Sequence, residues 1–372
     1  IHCHDGHTAL APVLIRELEG YRHFFQRTGC VVTIHNAGLG YHQEVDDLPF
    51  AQAITGLPPR VIHDNLLNRA FDPLLAAGGY AALSTVSETY ARELQETDLD
   101  AMTGWLGHRL LARGARITGI TNGINPGDYD PTRPKQHGLP AGFDPATGDL
   151  AGKKVCRRWL LDRLSGDGEP LAPARRVGDL SRVEDSHPLF TMVGRLTGQK
   201  GVDKLVGALE SLLPLDPDFG VLILGSGEKT IERRLARLAG EPDARGRLCL
   251  LFGYDERLAA AVFAAGDFFL VPSRYEPCGL TDFIAQLFGN LPVVHHTGGL
   301  TKVENGVTGF TYREHSSAAL MGAMQRAVST FRRQPGVIRR MQRAAVERIR
   351  ERYTWDRVIQ RYFDLYRATL PQ

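Results

Sequence analysis

Apolar residues come in short runs divided by glycines and charged stretches, and the pattern is most regular from Pro188 onward. Leu189–Val193, Gly220–Leu224, Arg247–Phe252, Asp267–Val271 and Leu291–His295 are runs of strand length, rich in Leu, Val, Ile and Phe. Between them lie helical patterns, beginning near Val202, after Gly227, from Glu256 and from Leu280. This alternation predicts βαβ units, hence a parallel sheet with helices on both faces. The first part alternates too. Helices are expected at Thr8–Glu19, Leu66–Ala77 and Ser87–Gln95, the last with Ser87 as N-cap. Strands are expected at Cys30–Ile34, Tyr80–Thr85 and Arg116–Ile120. From Pro131 to His187 the chain is rich in Pro, Gly and Arg, with one helical piece at Lys153–Leu164. At the end, Trp355, Val358, Ile359, Tyr362, Phe363, Tyr366 and Leu370 recur at helical spacing, an aromatic face that must dock on something large. The expected organisation is a first domain over 1–150, a linker over 151–187, a second domain over 188–350 and a returning helix over 351–372.

Size and charge narrow the partners. A chain of 372 residues suits two domains of ordinary size. Lys and Arg number 44 against 42 Asp and Glu, a net charge of +2, which argues against a general nucleic-acid binder. No apolar stretch approaches the roughly 20 residues of a membrane span. The five cysteines are scattered without a CxxC pair and fit reduced thiols rather than a disulfide framework. There is no signal-peptide pattern, and the chain opens on Ile1 rather than Met.

In sheets of this kind ligands bind beyond the carboxyl ends of strands. Gly194-Arg-Leu-Thr-Gly-Gln-Lys-Gly201 puts Arg195 and Lys200 in one such loop between glycines, a combination suited to a diphosphate. The spacing alone fits two solvated surface charges equally well. In Ser273-Arg-Tyr-Glu-Pro-Cys-Gly-Leu-Thr281, Glu276 precedes a helix start where the N–H groups of Gly279, Leu280 and Thr281 could face an anion, and Glu276 could accept from sugar hydroxyls. An ordinary loop with a capping acid is the plainer alternative. Gly225-Ser-Gly227 is half a dinucleotide fingerprint, with Thr230 where the third glycine belongs, and a tight turn explains it. His2-Cys-His-Asp-Gly-His7 has the look of a metal cluster. In a strand, however, His2 and His4 share one face and Cys3 and Asp5 the other, so four ligands do not converge. We therefore expect no metal, and read the segment as a strand end delivering His7 to a cleft. Asn36 and Asn122 stand at strand ends of the same half.

Together these segments resemble the family of bacterial glycogen synthases and plant starch synthases. The matches are His4-Asp-Gly-His-Thr-Ala-Leu-Ala-Pro12, Thr33-Ile-His-Asn36, Ser84-Thr-Val-Ser-Glu-Thr-Tyr-Ala91, Gly119-Ile-Thr-Asn-Gly-Ile124, Arg195-Leu-Thr-Gly-Gln-Lys-Gly201, Pro272-Ser-Arg-Tyr-Glu-Pro-Cys-Gly-Leu-Thr281 and Thr297-Gly-Gly-Leu300. They keep the family's order over nearly the whole chain. The resemblance implies an α/β GT-B fold, two facing Rossmann-like domains with parallel sheets and the active site between them. It implies retaining transfer of glucose from ADP-glucose to the non-reducing end of an α-1,4-glucan, without metal or other cofactor. Arg195 and Lys200 would neutralise the diphosphate, assisted by the 278–281 loop (Cys278, Gly279, Leu280, Thr281). Glu276 would hold glucose hydroxyls, His7 and Asn122 would face the sugar from the other domain, and Tyr254 would pack on the base. The implied partners are a sugar nucleotide and an α-glucan, with no nucleic acid and no membrane. The implied location is the bacterial cytoplasm, or the plastid for a plant homologue.

The departures set further expectations. Gly6 stands where the family usually has Trp, which should loosen the loop before His7. After Asn36 the chain reads Ala-Gly-Leu-Gly-Tyr-His42 rather than the common Leu-Ala-Tyr-Gln-Gly, which blurs the acceptor side. The family's amino-terminal Lys-Thr-Gly-Gly-Leu loop has no counterpart, so the first domain is expected to be incomplete and this chain to turn over poorly by itself. The alternatives are a GT-B transferase with another acceptor and a non-catalytic glucan- or nucleotide-binding homologue. Retention of His7, Arg195, Lys200 and Glu276 favours catalysis. The sequence does not decide between ADP and UDP.

Overall fold

A computed structural model describes residues 1–165 and 174–370. Residues 166–173, inside the expected linker, and 371–372, at the end of the expected last helix, lie outside the described residues. The chain forms two compact units, one of residues 1–123 with 355–372 and one of residues 124–354.

In the first unit the strands are β1 (His2–His4), β2 (Val31–Ile34), β3 (Leu66–Leu67), β4 (Ala70–Phe71), β5 (Ala82–Thr85) and β6 (Ile117–Gly119). Four of them make a parallel sheet in the order β1-β2-β5-β6. Strand β2 is buried along its whole length, as its run of Val, Val, Thr and Ile requires of a strand covered on both faces. The expected helix at Leu66–Ala77 is corrected. Asn68 and Arg69 take left-handed backbone (φ 51° and 73°) and turn β3 back on β4, so only Pro73–Ala77 is helical. The expected helix at Thr8–Glu19 is also divided, into Asp5–Thr8, Leu10–Glu17 and Glu19–Arg22. Ser87 caps the helix Glu88–Glu96 by accepting from the Tyr90 amide.

The terminal helix Trp355–Thr369 belongs to this unit. Val358 and Tyr362 pack with Ile120, and Arg361 pairs with Glu88. Only part of the expected aromatic face is covered, since Trp355, Phe363 and Leu370 remain exposed.

The second unit holds β7 (Arg175–Gly178), β8 (Leu189–Val193), β9 (Gly220–Gly225), β10 (Leu248–Phe252), β11 (Phe268–Val271), β12 (Leu291–His295) and β13 (Phe310–Tyr312). Their order is β13-β12-β11-β8-β9-β10-β7. All neighbours are parallel except β7, which runs antiparallel to β10 at the edge. Two cores line the faces. One packs Val202–Leu212 and Ser317–Arg333 against the sheet, and the other packs Ala151–Leu164 and Glu256–Ala265.

The expected boundary at 150 is therefore misplaced. Residues 124–150 and the helix Ala151–Leu164 belong to the second unit, because Cys156, Leu160, Leu161 and Leu164 are core residues there. Lys153 is buried with them and donates to the carbonyls of Ala264 (3.0 Å) and Phe288 (2.9 Å). These carbonyls lie at the carboxyl ends of Glu256–Ala265 and Thr281–Leu287. Burial lowers the Lys153 amine to about 8. All five cysteines are buried, and none is in a disulfide. No described helix is long and apolar enough to cross a membrane.

Candidate functional site

In the second unit, loops from the carboxyl ends of β8, β9, β11 and β12 gather the sequence-selected residues. The loop after β8 is joined to the loop after β9 by backbone hydrogen bonds from Leu196 N to Ser226 O (3.0 Å) and from Glu228 N to Leu196 O (2.9 Å). Gly225 and Gly227 permit this approach. A Cβ on them would lie 1.8 Å from Gly194 O and 2.3 Å from Leu196 O. The Gly-Ser-Gly run thus serves a close backbone crossing. The Glu228 carboxylate then accepts from Gly198 N (2.9 Å) inside the cation-bearing loop.

Lys200 and Glu276, 76 residues apart in sequence, meet with Nζ 2.6 Å from Oε2. Ser273 Oγ donates to the same carboxylate oxygen (2.8 Å). The Glu276 carbonyl accepts from Gly299 N (2.9 Å), tying this loop to the one after β12. The Glu276 side chain is 10% exposed and that of Lys200 24%, so the pair sits at a surface with one face toward solvent. Arg195 is exposed in the same loop as Lys200. Thr281 begins the helix Thr281–Leu287, Leu280 is its N-cap, and Gly279 takes left-handed backbone (φ 73°) just before it. Cys278 is buried.

Lys302 holds this turn in place and was missed in the sequence. Its Nζ donates to the carbonyls of Cys278 (2.5 Å) and Gly279 (2.6 Å), pairs with Asp282 (3.0 Å) and lies over the Phe283 ring. Burial pushes the Asp282 carboxyl up to about 6, against the pull of Lys302. The signal available was one lysine two residues beyond Thr297-Gly-Gly-Leu300, which looks like any surface lysine until the fold brings it under the 278–279 turn.

Tyr254 follows β10 and is 63% exposed. It borders a hollow of about 270 Å³ with Tyr129, His137, Phe263 and Phe288.

In the first unit, His7 is exposed in the turn Asp5–Thr8 that follows β1. Asp5 has left-handed backbone (φ 54°), and its carboxylate accepts from the amides of His35 (2.7 Å) and Asn36 (3.4 Å). This fastens the turn to the end of β2. The opening histidines are engaged with neighbours: His2 contacts Tyr366 and Thr33, and His4 contacts His35. Among the described residues no cluster of three or more metal-type ligands occurs. Asn122 is buried, and its side-chain oxygen has no hydrogen-bond partner among the described residues, a costly arrangement that a ligand hydroxyl would relieve. Gly6 does not loosen the turn, contrary to expectation. It is buried against the backbone of residues 41–42.

Comparison with known proteins bears on both units. A family model described as the starch synthase catalytic domain matches residues 1–108, and one described as glycosyl transferases group 1 matches residues 187–330. The glycogen synthase of Anaeromyxobacter dehalogenans is 36% identical over 386 residues, covering 100% of this chain and 73% of the relative. That of Thermodesulfovibrio yellowstonii is 32% identical over 374 residues, covering 100% and 68%. Among solved structures, the catalytic domain of starch synthase IV from Arabidopsis thaliana, bound to ADP and acarbose, matches with a TM-score of 0.81 and 25% identity over 99% of this chain and 72% of that one. Sucrose-phosphate synthase from Thermosynechococcus elongatus shares the fold, with a TM-score of 0.58 and 18% identity over 99% and 73%.

Proposed function

Since the chain belongs to the family of glycogen and starch synthases, glycosyltransferases of the two-domain α/β GT-B type, we propose that it moves glucose from ADP-glucose to the non-reducing end of an α-1,4-glucan with retention of configuration. The observation that carries this reading is the contact of Lys200 with Glu276, which joins a diphosphate-type cation to a sugar-type carboxylate at the carboxyl ends of β8 and β11. As the bond from the sugar's anomeric carbon to the diphosphate breaks, negative charge builds on the leaving oxygen. Arg195 and Lys200 stabilise that charge more than they stabilise the ground state. The amides of Gly279, Leu280 and Thr281 act in the same sense. Glu276 exchanges its contact with Lys200 for the glucose hydroxyls when the diphosphate takes the ammonium. His7 and Asn122 serve the same glucosyl group, and Tyr254 packs on the base.

In this reading fixed cations meet the diphosphate charge, so neither a metal nor another cofactor is required. Work in the bacterial cytoplasm, or in a plastid for a plant enzyme, is part of the same proposal. The test measures ADP release by the full-length protein with glycogen as acceptor, then with free sugars, and again with UDP-glucose as donor. Release that depends on glycogen and on ADP-glucose is expected. Release with free sugars alone would assign a different acceptor. Lys200→Ala should lower kcat about 10- to 100-fold, the equivalent of one lost charge-assisted hydrogen bond of about 1.5–3 kcal/mol. An unchanged kcat would remove Lys200 from the site.

A further inference from the structure

We infer that His42, clamped in the first unit between Asp72 and the Ala37 carbonyl, is a positioning residue that holds loop 37–42 against Gly6 and so fixes the turn bearing His7. The inference rests on the reading that His7 serves glucosyl transfer.

His42 and Asp72 are each 1% exposed. His42 Nδ1 lies 2.7 Å from Asp72 Oδ2, and Nε2 lies 2.7 Å from Ala37 O. A carbonyl oxygen can only accept, so Nε2 carries hydrogen toward Ala37; the inferred clamp places a second hydrogen on Nδ1, toward the Asp72 carboxylate, which makes the ring an imidazolium. The anchors on either side are fixed. Asp72 Oδ1 accepts from Leu75 N (2.8 Å) and caps Pro73–Ala77. Phe71, one residue earlier, exchanges backbone hydrogen bonds with Val45 (2.9 and 2.8 Å), just beyond the loop. Ala37 N donates to Tyr90 Oη (3.0 Å). The loop is thus held at its start, at His42 and at its exit.

The same residue touches the turn. A Cβ on Gly6 would lie 2.1 Å from His42 O, 2.5 Å from His42 C and 2.9 Å from Tyr41 O. These are backbone atoms that the clamp prevents from yielding. Gly6 and His42 are therefore matched, because the His42 carbonyl occupies the space a side chain at position 6 would need. Asp5, fastened to the end of β2, holds the turn on one side of Gly6, and His7 follows directly on the other. Displacing the loop displaces His7, and misplacement of a reacting group by about 1 Å costs on the order of 100-fold in rate.

The groups acting on the ring agree with this picture. Burial disfavours its charge, but the Asp72 hydrogen bond and charge, the Ala37 carbonyl and Glu44 outweigh it and hold His42 above the usual histidine value. From the turn packed against the loop, Asp5 is committed to the His35 and Asn36 amides, and His7 is exposed.

Three measurements test the inference. In unmodified protein at pH 7, nitrogen NMR of the His42 ring should show both nitrogens protonated, and a neutral ring overturns the clamp. In the full-length protein, His42→Leu should lower kcat about 10- to 100-fold and leave KM for the sugar nucleotide within about two-fold. His42→Gln, whose amide nitrogen has two hydrogens to donate, should restore most of the loss. Amide exchange of residues 5–9 should rise in His42→Leu and return in His42→Gln, while exchange in the second unit stays constant. Unchanged kcat and exchange in His42→Leu would overturn the inference. Full activity in His7→Ala would instead overturn the role of His7, and leaves the ring protonation and the exchange result to decide the clamp.

Discussion

Lys153 offers a quantitative test of how the second unit is built. The perturbation is Lys153→Met, which keeps the length of the side chain and removes the ammonium. In the folded protein burial lowers this amine to about 8, against about 10.4 in an unfolded chain. Between those values the unfolded state holds the proton and the folded state does not. Stability therefore rises with pH across that window. The full difference is about 2.4 units, on the order of 3 kcal/mol, of which about 2 kcal/mol should appear between pH 7 and pH 10. The variant lacks this one amine, so the informative quantity is wild type minus variant. Urea unfolding of the second unit, followed at pH 7, 8, 9 and 10 for both proteins, gives that difference directly. It should grow by about 2 kcal/mol in favour of wild type. Parallel curves would mean that the Lys153 ammonium is not desolvated, and that the contacts with Ala264 and Phe288 do not describe its setting.

Lys302→Met removes one partner of an almost fully buried pair and frees the Cys278–Gly279 carbonyls. It should cost about 3–5 kcal/mol, read as a lower thermal midpoint, and a midpoint within a degree or two of wild type would deny Lys302 its part in holding the turn. Transfer activity should survive EDTA in the full-length protein. Loss with EDTA and recovery with a divalent ion would contradict a site in which Arg195 and Lys200 meet the diphosphate charge.

Strands β8 to β12 of the second unit were legible because each is a run of strand length dominated by Leu, Val, Ile and Phe. Leu189–Val193 and Leu291–His295 are read to the residue. The hairpin at β3 and β4 was not, since Leu66, Leu67, Phe71, Leu74 and Leu75 also fit helical spacing and the left-handed turn at Asn68 and Arg69 carries no glycine. Strand β7 was missed because Arg175-Arg-Val-Gly178 is polar and pairs with a strand some 70 residues on. At the candidate site, residue types in strand-end loops pointed to Lys200 and Glu276, while their contact needed the fold. Gly6 shows the limit most plainly: its neighbour lies 36 residues away, so a position that looks permissive in sequence is sterically closed.

The division of the chain has a consequence for how the protein is made. The first unit is discontinuous: its sheet comes from residues before 124, and its last helix from residues after 354. The two crossing segments are stitched side by side, with Ile124 N donating to Tyr353 O (2.7 Å) and Gly123 packed against Trp355. During synthesis the second unit, a single stretch, has all its strands before the helix that covers Ile120 emerges. Nascent β1, β2, β5 and β6 must wait, partly uncovered, for Val358 and Tyr362. The unit whose strands are translated first is the one completed later, and a ribosome that stops just after Thr354 releases the second unit joined to a first unit that still lacks this helix.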